Sequence, residues 1–214
     1  MQKQELRSLI KNLLPAIDKV NKWHPNVIDA AIERVLIEMY NELFAENPLA
    51  LQRFTKQYGY GTALGVSLEG ATGLYYTTLP AKIVPFRDKA SGVRRISTKV
   101  QGGLTFFPID PREMDLILSG SNVDTITTKI GYVVNSERVE YYNMSGTVQT
   151  DGVRMDLIVP FSVYDDDDEV LVPETRNEKG TTFTDRVLAI LGVVQPKDLK
   201  DDNAETKRES NTAK

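Results

Sequence analysis

A chain of 214 residues, 41% of them hydrophobic, can bury a core as one large domain or two small ones; without a cysteine it can form neither disulfides nor thiolate metal sites. A formal charge of −4 argues against a general nucleic-acid binder, which carries a basic balance, and a single histidine, His24, excludes two-histidine metal motifs within one chain. Met1 to Arg7 is polar and no apolar run of about 18 residues occurs, so the sequence predicts neither a signal peptide nor a membrane span.

The first predicted element is a helix from about Gln2 to Leu14, because Leu6, Leu9, Ile10, Leu13 and Leu14 fall on one face. Pro15 kinks or ends it, with Ile17 and Val20 extending the stripe beyond. A second, longer helix opens at Pro25 and Asn26. Its apolar pairs recur every fourth residue, from Val27/Ile28 through Ala31/Ile32, Val35/Leu36 and Met39/Tyr40 to Leu43/Phe44. Each step of four advances about 400°, so the apolar surface drifts by about 40° per step and winds around the helix. One flat partner cannot cover such a surface. Ile28, Ile32, Leu36, Met39 and Leu43 are therefore expected to pack against several elements of the same chain or against a neighbouring subunit. His24 reads as a capping or packing residue. Asn47-Pro48 ends this helix, and Leu49 to Tyr58 reads as one more short helix. The glycine-rich run Tyr58 to Gly65 lacks the ending of a phosphate-binding loop and reads as a flexible linker.

From about residue 72 the pattern changes to β. Strands are predicted at Leu74–Leu79, Lys82–Phe86, Val93–Val100, Leu104–Pro108, Thr125–Val134, Val139–Asn143 and Val170–Pro173. Val153–Val163 is the longest candidate, with Pro160 arguing for an edge or a bulge. Asp110 to Glu113 resembles a capping box opening one or two helical turns, while Asn135–Arg138 and Asp151-Gly152 signal turns. A helical signal then returns at Phe183–Val194, capped by Thr182 and ended by Gly192; at two or three turns it is too short to stand alone. The expected fold is α+β: residues 1–70 as a helical base, 71–174 as an inserted antiparallel β-sandwich or barrel-like domain, 175–195 as a returning helix packed on the base, and 196–214 as a polar flexible arm.

Two charged segments stand out. Asp165, Asp166, Asp167, Asp168 and Glu169 form an acidic run that reads as a solvated loop, a subunit or DNA-channel contact, or an oxygen-ligand cation site without the glycine turn of calcium loops. Lys82, Arg87, Lys89, Arg94, Arg95 and Lys99 form a basic segment, opposed only by Asp88, that reads as a charge-protected β-edge or a phosphate contact. A third reading joins the two runs: a ring built head to tail presents different surfaces to its neighbours, and opposite charges would fix their register. Asn143-Met144-Ser145 matches a glycosylation acceptor by chance. No residue spacing supports catalysis, and neither a metal nor a cofactor is expected.

The hairpin Tyr132–Tyr142, the strand Val153–Phe161, the run Asp165–Glu174 with its final helix, and the helix Asn26–Arg34 with Leu49–Tyr58 together resemble the head-to-tail connector, or ring, proteins of tailed bacteriophages, especially those of crAss-like phages of gut bacteria. The resemblance covers most of residues 24 to 195. It implies a non-enzymatic virion protein of the neck or tail, made in the bacterial cytoplasm. It further implies a homo-oligomeric ring, commonly twelvefold, bound to a portal protein and to adjacent tail or ring proteins, with genomic DNA passing through the lumen without sequence-specific binding and no membrane partner. An acidic run facing that lumen would repel DNA and let it slide. The competing expectations are a monomeric β-sandwich module that binds carbohydrate through Tyr75, Tyr76, Tyr141 and Tyr142, and a carboxylate-dependent hydrolase.

Overall fold

The computed structural model describes residues 1–14, 23–98, 106–110, 130–135, 137–144, 146–173 and 182–193. Helix α1 spans Lys3–Leu13 and helix α2 spans Pro25–Glu46. His24 caps α2: its Nδ1 accepts from the Asn26 amide at 3.3 Å, and Pro25 begins the first turn. Ile28, Ile32, Leu36 and Met39 are each at most 2% exposed, so the winding stripe is covered within the chain. Its cover comes from α1, from a 3-10 helix at Pro48–Phe54, from a 3-10 turn at Phe161–Val163, and from the returning helix Phe183–Ile190. Leu43 is half-buried and packs against the same core.

Among the described residues two sheets complete the α+β fold; strands of both contribute to one buried cluster with the helices, and Ile109, Val133 and Tyr142 form a smaller second cluster. The first sheet has the order β1-β8-β4, with β1 at Lys56–Tyr58, β4 at Val93–Thr98 and β8 at Val153–Leu157, all antiparallel. The second has the order β2-β3-β7-β6-β5, from Ser67–Leu68, Tyr75–Thr78, Arg138–Tyr142, Gly131–Asn135 and Phe107–Pro108. A short helix, α3 at Gly146–Asp151, precedes β8, and the returning helix is α4. Thr182 opens α4 with a reciprocal cap, its amide donating to the Asp185 carboxylate at 2.9 Å, and Gly192 ends it at φ +73°.

Several expectations are corrected. Leu49–Tyr58 is not one helix, since the 3-10 helix stops at Phe54 and the chain extends into β1. Strands β1 and β2 thus lie before residue 71, in the stretch expected to be helical base. The glycine-rich run is no free linker, because Leu64 and Val153 exchange backbone hydrogen bonds at 2.9 and 3.0 Å. Gly59 and Gly152 permit that approach: both have positive φ, and a Cβ would lie 2.6 Å from the Val153 carbonyl oxygen and 2.7 Å from the Leu64 carbonyl oxygen respectively. Asp151-Gly152 ends α3 rather than turning a hairpin. Lys82–Phe86 and Val170–Pro173 are not strands, each being tied in by single backbone bonds such as Val84 N–H to the Ile158 carbonyl at 2.8 Å. The strand expected over Val153–Val163 stops at Leu157, and the 3-10 turn follows Pro160. One pairing, β5 with β6, is parallel. Pro15, Ile17, Val20, Lys99, most of the box at 110–113, Ser136, Ser145, Glu174 and the arm at 196–214 lie outside the described residues.

Ile32 is fully buried and Val27 is 44% exposed. Ile32→Ala is expected to cost about 2–5 kcal/mol in urea unfolding, while Val27→Ala stays within about 0.5 kcal/mol; equal effects would contradict the wrapped-helix packing.

Candidate functional site

The acidic run is a structured turn fastened to the start of α1. The Asp168 amide donates to the Asp165 carbonyl at 3.0 Å, and the Asp165 amide donates to the Asp168 carboxylate at 2.7 Å. Amides in the first turn of α1 have no partner within the helix. Here those of Lys3 and Gln4 donate to the carbonyls of Asp168 and Asp166 at 3.0 and 3.1 Å. Three side chains reinforce the seam. The buried Lys3 ammonium donates to the Tyr164 carbonyl at 2.5 Å and sits 5.1 Å above the Phe161 ring. Arg7 grips Asp29 with two bonds of 2.8 Å and reaches Asp166 at 3.3 Å. Lys56, on β1, pairs with Asp168. That bond holds the Asp168 carboxyl below its ordinary range, with burial opposing. Burial chiefly, then Tyr58 and Asp168, pushes the Tyr164 phenol up to about 12.

Asp165, Asp166, Asp167 and Glu169 nonetheless face water, with side chains of Asp166 and Glu169 61% and 72% exposed. The turn therefore displays charge from a fixed backbone. Among the described residues no three histidine or carboxylate side chains converge closely enough to hold a metal ion.

The basic segment divides differently from its sequence. Lys82, Arg87, Lys89 and Arg95 are exposed. Arg94 is not, and its place among surface contacts is corrected. Its guanidinium packs against the adjoining rings of Phe44 and Phe86, 5.6 and 4.8 Å from their centroids, and donates to Asp88 at 3.0 Å and to the Ser91 carbonyl. The cause is a bulge: the pairing of β4 with β8 shifts between Val93 and Arg95, so Arg94 falls out of register and turns inward. Arg95 stands across from Asp156 on the outer face. There Tyr60 covers Arg154 at 5.1 Å and its hydroxyl donates to Asp156 at 2.8 Å.

The topology places the acidic turn and the C-terminal part of the basic segment on opposite flanks of one sheet. The acidic turn is held at β1, Arg94 and Arg95 lie on β4 and β8 runs between them, while Lys82 stands beside Leu79 and Glu137 and Arg87 beside Asn41 and Phe44. Sequence reasoning missed Lys3, Arg7 and Lys56 because each reaches the Tyr164–Asp168 stretch from more than a hundred residues away; a pair of cations spaced four apart on α1 was the only local signal. The tyrosines of a sugar platform are largely inside, with Tyr141 and Tyr142 at 1% and 3% exposure. The helical candidates Ile28, Ile32, Leu36 and Met39 are core residues, not free surface. No described helix is long and apolar enough to cross a membrane.

Comparison with known protein families, with curated proteins and with solved structures gives no match.

Two outcomes follow from this geometry. Arg94→Ala strips Asp88 of its cation in a largely buried setting and is expected to cost about 3 kcal/mol in denaturant unfolding, against about 0.5 kcal/mol for Arg95→Ala. Asp168 has a depressed value in the folded state, so its contribution is complete above its unfolded value of 3.8 and is lost as pH falls through the folded one. Melting curves of the parent and of Lys56→Met should therefore converge as pH drops from about 5 toward about 3; a gap that widens on acidification would contradict the pairing.

Proposed function

We propose that this chain is a structural subunit of a tailed-phage virion, a neck or tail connector that assembles head to tail into a ring between portal and tail. The observation that carries this reading is the opposition of charge across sheet β1-β8-β4, with an anchored acidic turn on one flank and the C-terminal part of the basic segment on the other. A surface matched to a different surface of its own kind is what a heterologous, ring-closing contact requires. Both flanks are held rigid in the free chain, the acidic one by α1 and Lys56 and the basic one by Arg94. Little ordering entropy then remains to be lost on association.

On this reading the chain has no catalytic role and works without a cofactor. It is made in the host cytoplasm and incorporated into the virion. The helical side meets the portal or the adjacent ring, the β side meets the next tail component, and twelvefold symmetry is the expectation from the resemblance. DNA crosses the lumen without sequence-specific contact. A net charge of −4 suits a channel that must not retain it.

Light scattering on the purified full chain, alone and with portal, tests this. Rings, or assembly onto portal, are expected, and their midpoint should move to higher protein concentration as salt rises, since exposed charges are screened beyond about 10 Å at 0.1 M ionic strength. A chain that stays monomeric in every condition and never joins a portal would refute the proposal.

A further inference from the structure

The outer strands β4 and β5 belong to different sheets, and a cleft of about 450 Å³ opens beside both. Leu49 and Gln52 of the 3-10 helix, Val93 and Arg95 of β4, and Phe106 and Pro108 at β5 contribute to its lining. Its character is mostly apolar with an exposed cation. Leu49 is 72% exposed, more than any other large apolar residue of the described chain. Arg94 also borders the cleft, but it is sheltered and paired with Asp88, whereas Arg95 is exposed, standing across from Asp156, whose carboxylate accepts from Tyr60. A cleft with apolar walls and one available guanidinium takes an apolar side chain adjoining a carboxylate.

The chain displays that combination elsewhere on its own surface. Leu171 is 42% exposed, although Val170 beside it is buried, and Glu169 two residues earlier has a side chain 72% exposed, with the Met1 ammonium at 3.7 Å as its long, solvent-facing partner. The segment is fixed in place. The Val170 amide donates to the Met1 carbonyl at 2.8 Å, and the Leu171 carbonyl accepts from the Tyr40 hydroxyl at 3.3 Å. It follows directly on the acidic turn, on the flank away from β4. An apolar knob with a carboxylate on one flank and an apolar cleft with a guanidinium on the other complement each other in both charge and polarity.

We infer that the cleft beside β4 and β5 receives the Glu169–Leu171 segment of a second copy, with Leu171 against Leu49 and Glu169 against Arg95. The inference rests on the head-to-tail reading above and names the seat of that contact. All four side chains are exposed, so their substitution leaves the core intact.

The chain has no cysteine, so introduced ones react alone. Full-length Leu49→Cys and Leu171→Cys proteins are prepared separately, then treated with a short bis-maleimide, each alone and as a mixture. Covalent dimers in the mixture, and not in either protein alone, are expected. In parallel, Arg95→Glu and Glu169→Arg should each raise the protein concentration needed for assembly by about tenfold, and the two together should recover most of that loss. Assembly at unchanged mass without cross-links in the mixture, or without recovery in the double variant, overturns this seat while leaving the ring itself standing. Dimers from Leu49→Cys alone would mean a like-to-like face and also overturn it. A chain monomeric throughout removes both the ring and the seat.

Discussion

The structure depends on the winding apolar surface of α2. A helix whose apolar residues recur every fourth position cannot satisfy itself against one sheet, and burying each large aliphatic side chain stabilises the fold by about 1.5–3 kcal/mol. That gain is realised only if several elements surround the helix. Here α1, the 3-10 segment Pro48–Phe54, the turn Phe161–Val163 and α4 do so, although they come from widely separated parts of the chain. The β region departs from the helical part and returns to it at two points, first at Phe161 and again at Phe183. The arrangement of both sheets follows from that need, since β1 leaves directly from the 3-10 helix and β8 leads directly into the turn that covers α2.

The seam between α1 and the acidic turn is the second level of organisation. A run of five carboxylates would repel itself in an open loop. Here the first-turn amides of a helix, with Lys3, Arg7 and Lys56, give it a defined shape. The N-terminal end of a helix favours negative charge through its aligned peptide dipoles. The turn thus spends some of its charge on holding α1 and presents the rest to solvent. One short segment both closes the fold and provides the surface from which assembly is proposed.

The legible parts of the sequence were those with long, regular periodicity or explicit caps. Helix α2, its stop at Asn47-Pro48, the Thr182 cap and the Gly192 end of α4 all follow from local rules. Strands β3, β4 and β7 lay within a residue or two of expectation over their described lengths. Short or irregular elements were not legible. Three-residue β1 has too few positions to display an alternation, and a 3-10 helix spaces its apolar residues much as an α-helix does over one turn. Beyond Leu157 the apolar run continues, but its hydrogen bonds go to Gly92 and Val84 individually instead of to a ladder. The acidic and basic runs were visible as composition. Their disposition across one sheet was not, because it depends on pairings of β8 with strands that lie far back in the chain, such as Lys56 with Leu157 and Arg95 with Asp156. The inward turn of Arg94 depends on a bulge that leaves no mark in the sequence.

That bulge has a consequence for how the chain tolerates change in length. Two arginines stand side by side in β4, and the unpaired position between Val93 and Arg95 alone decides which is sheltered by Phe44 and Phe86 and which meets solvent. Loss of Arg94 would regularise the ladder and leave Arg95 opposite Asp156, on the same face as before. What would go is the inward cation, and Asp88 would lose its partner. The sheltered charge on this flank therefore exists because the strand is one residue longer than a regular ladder needs.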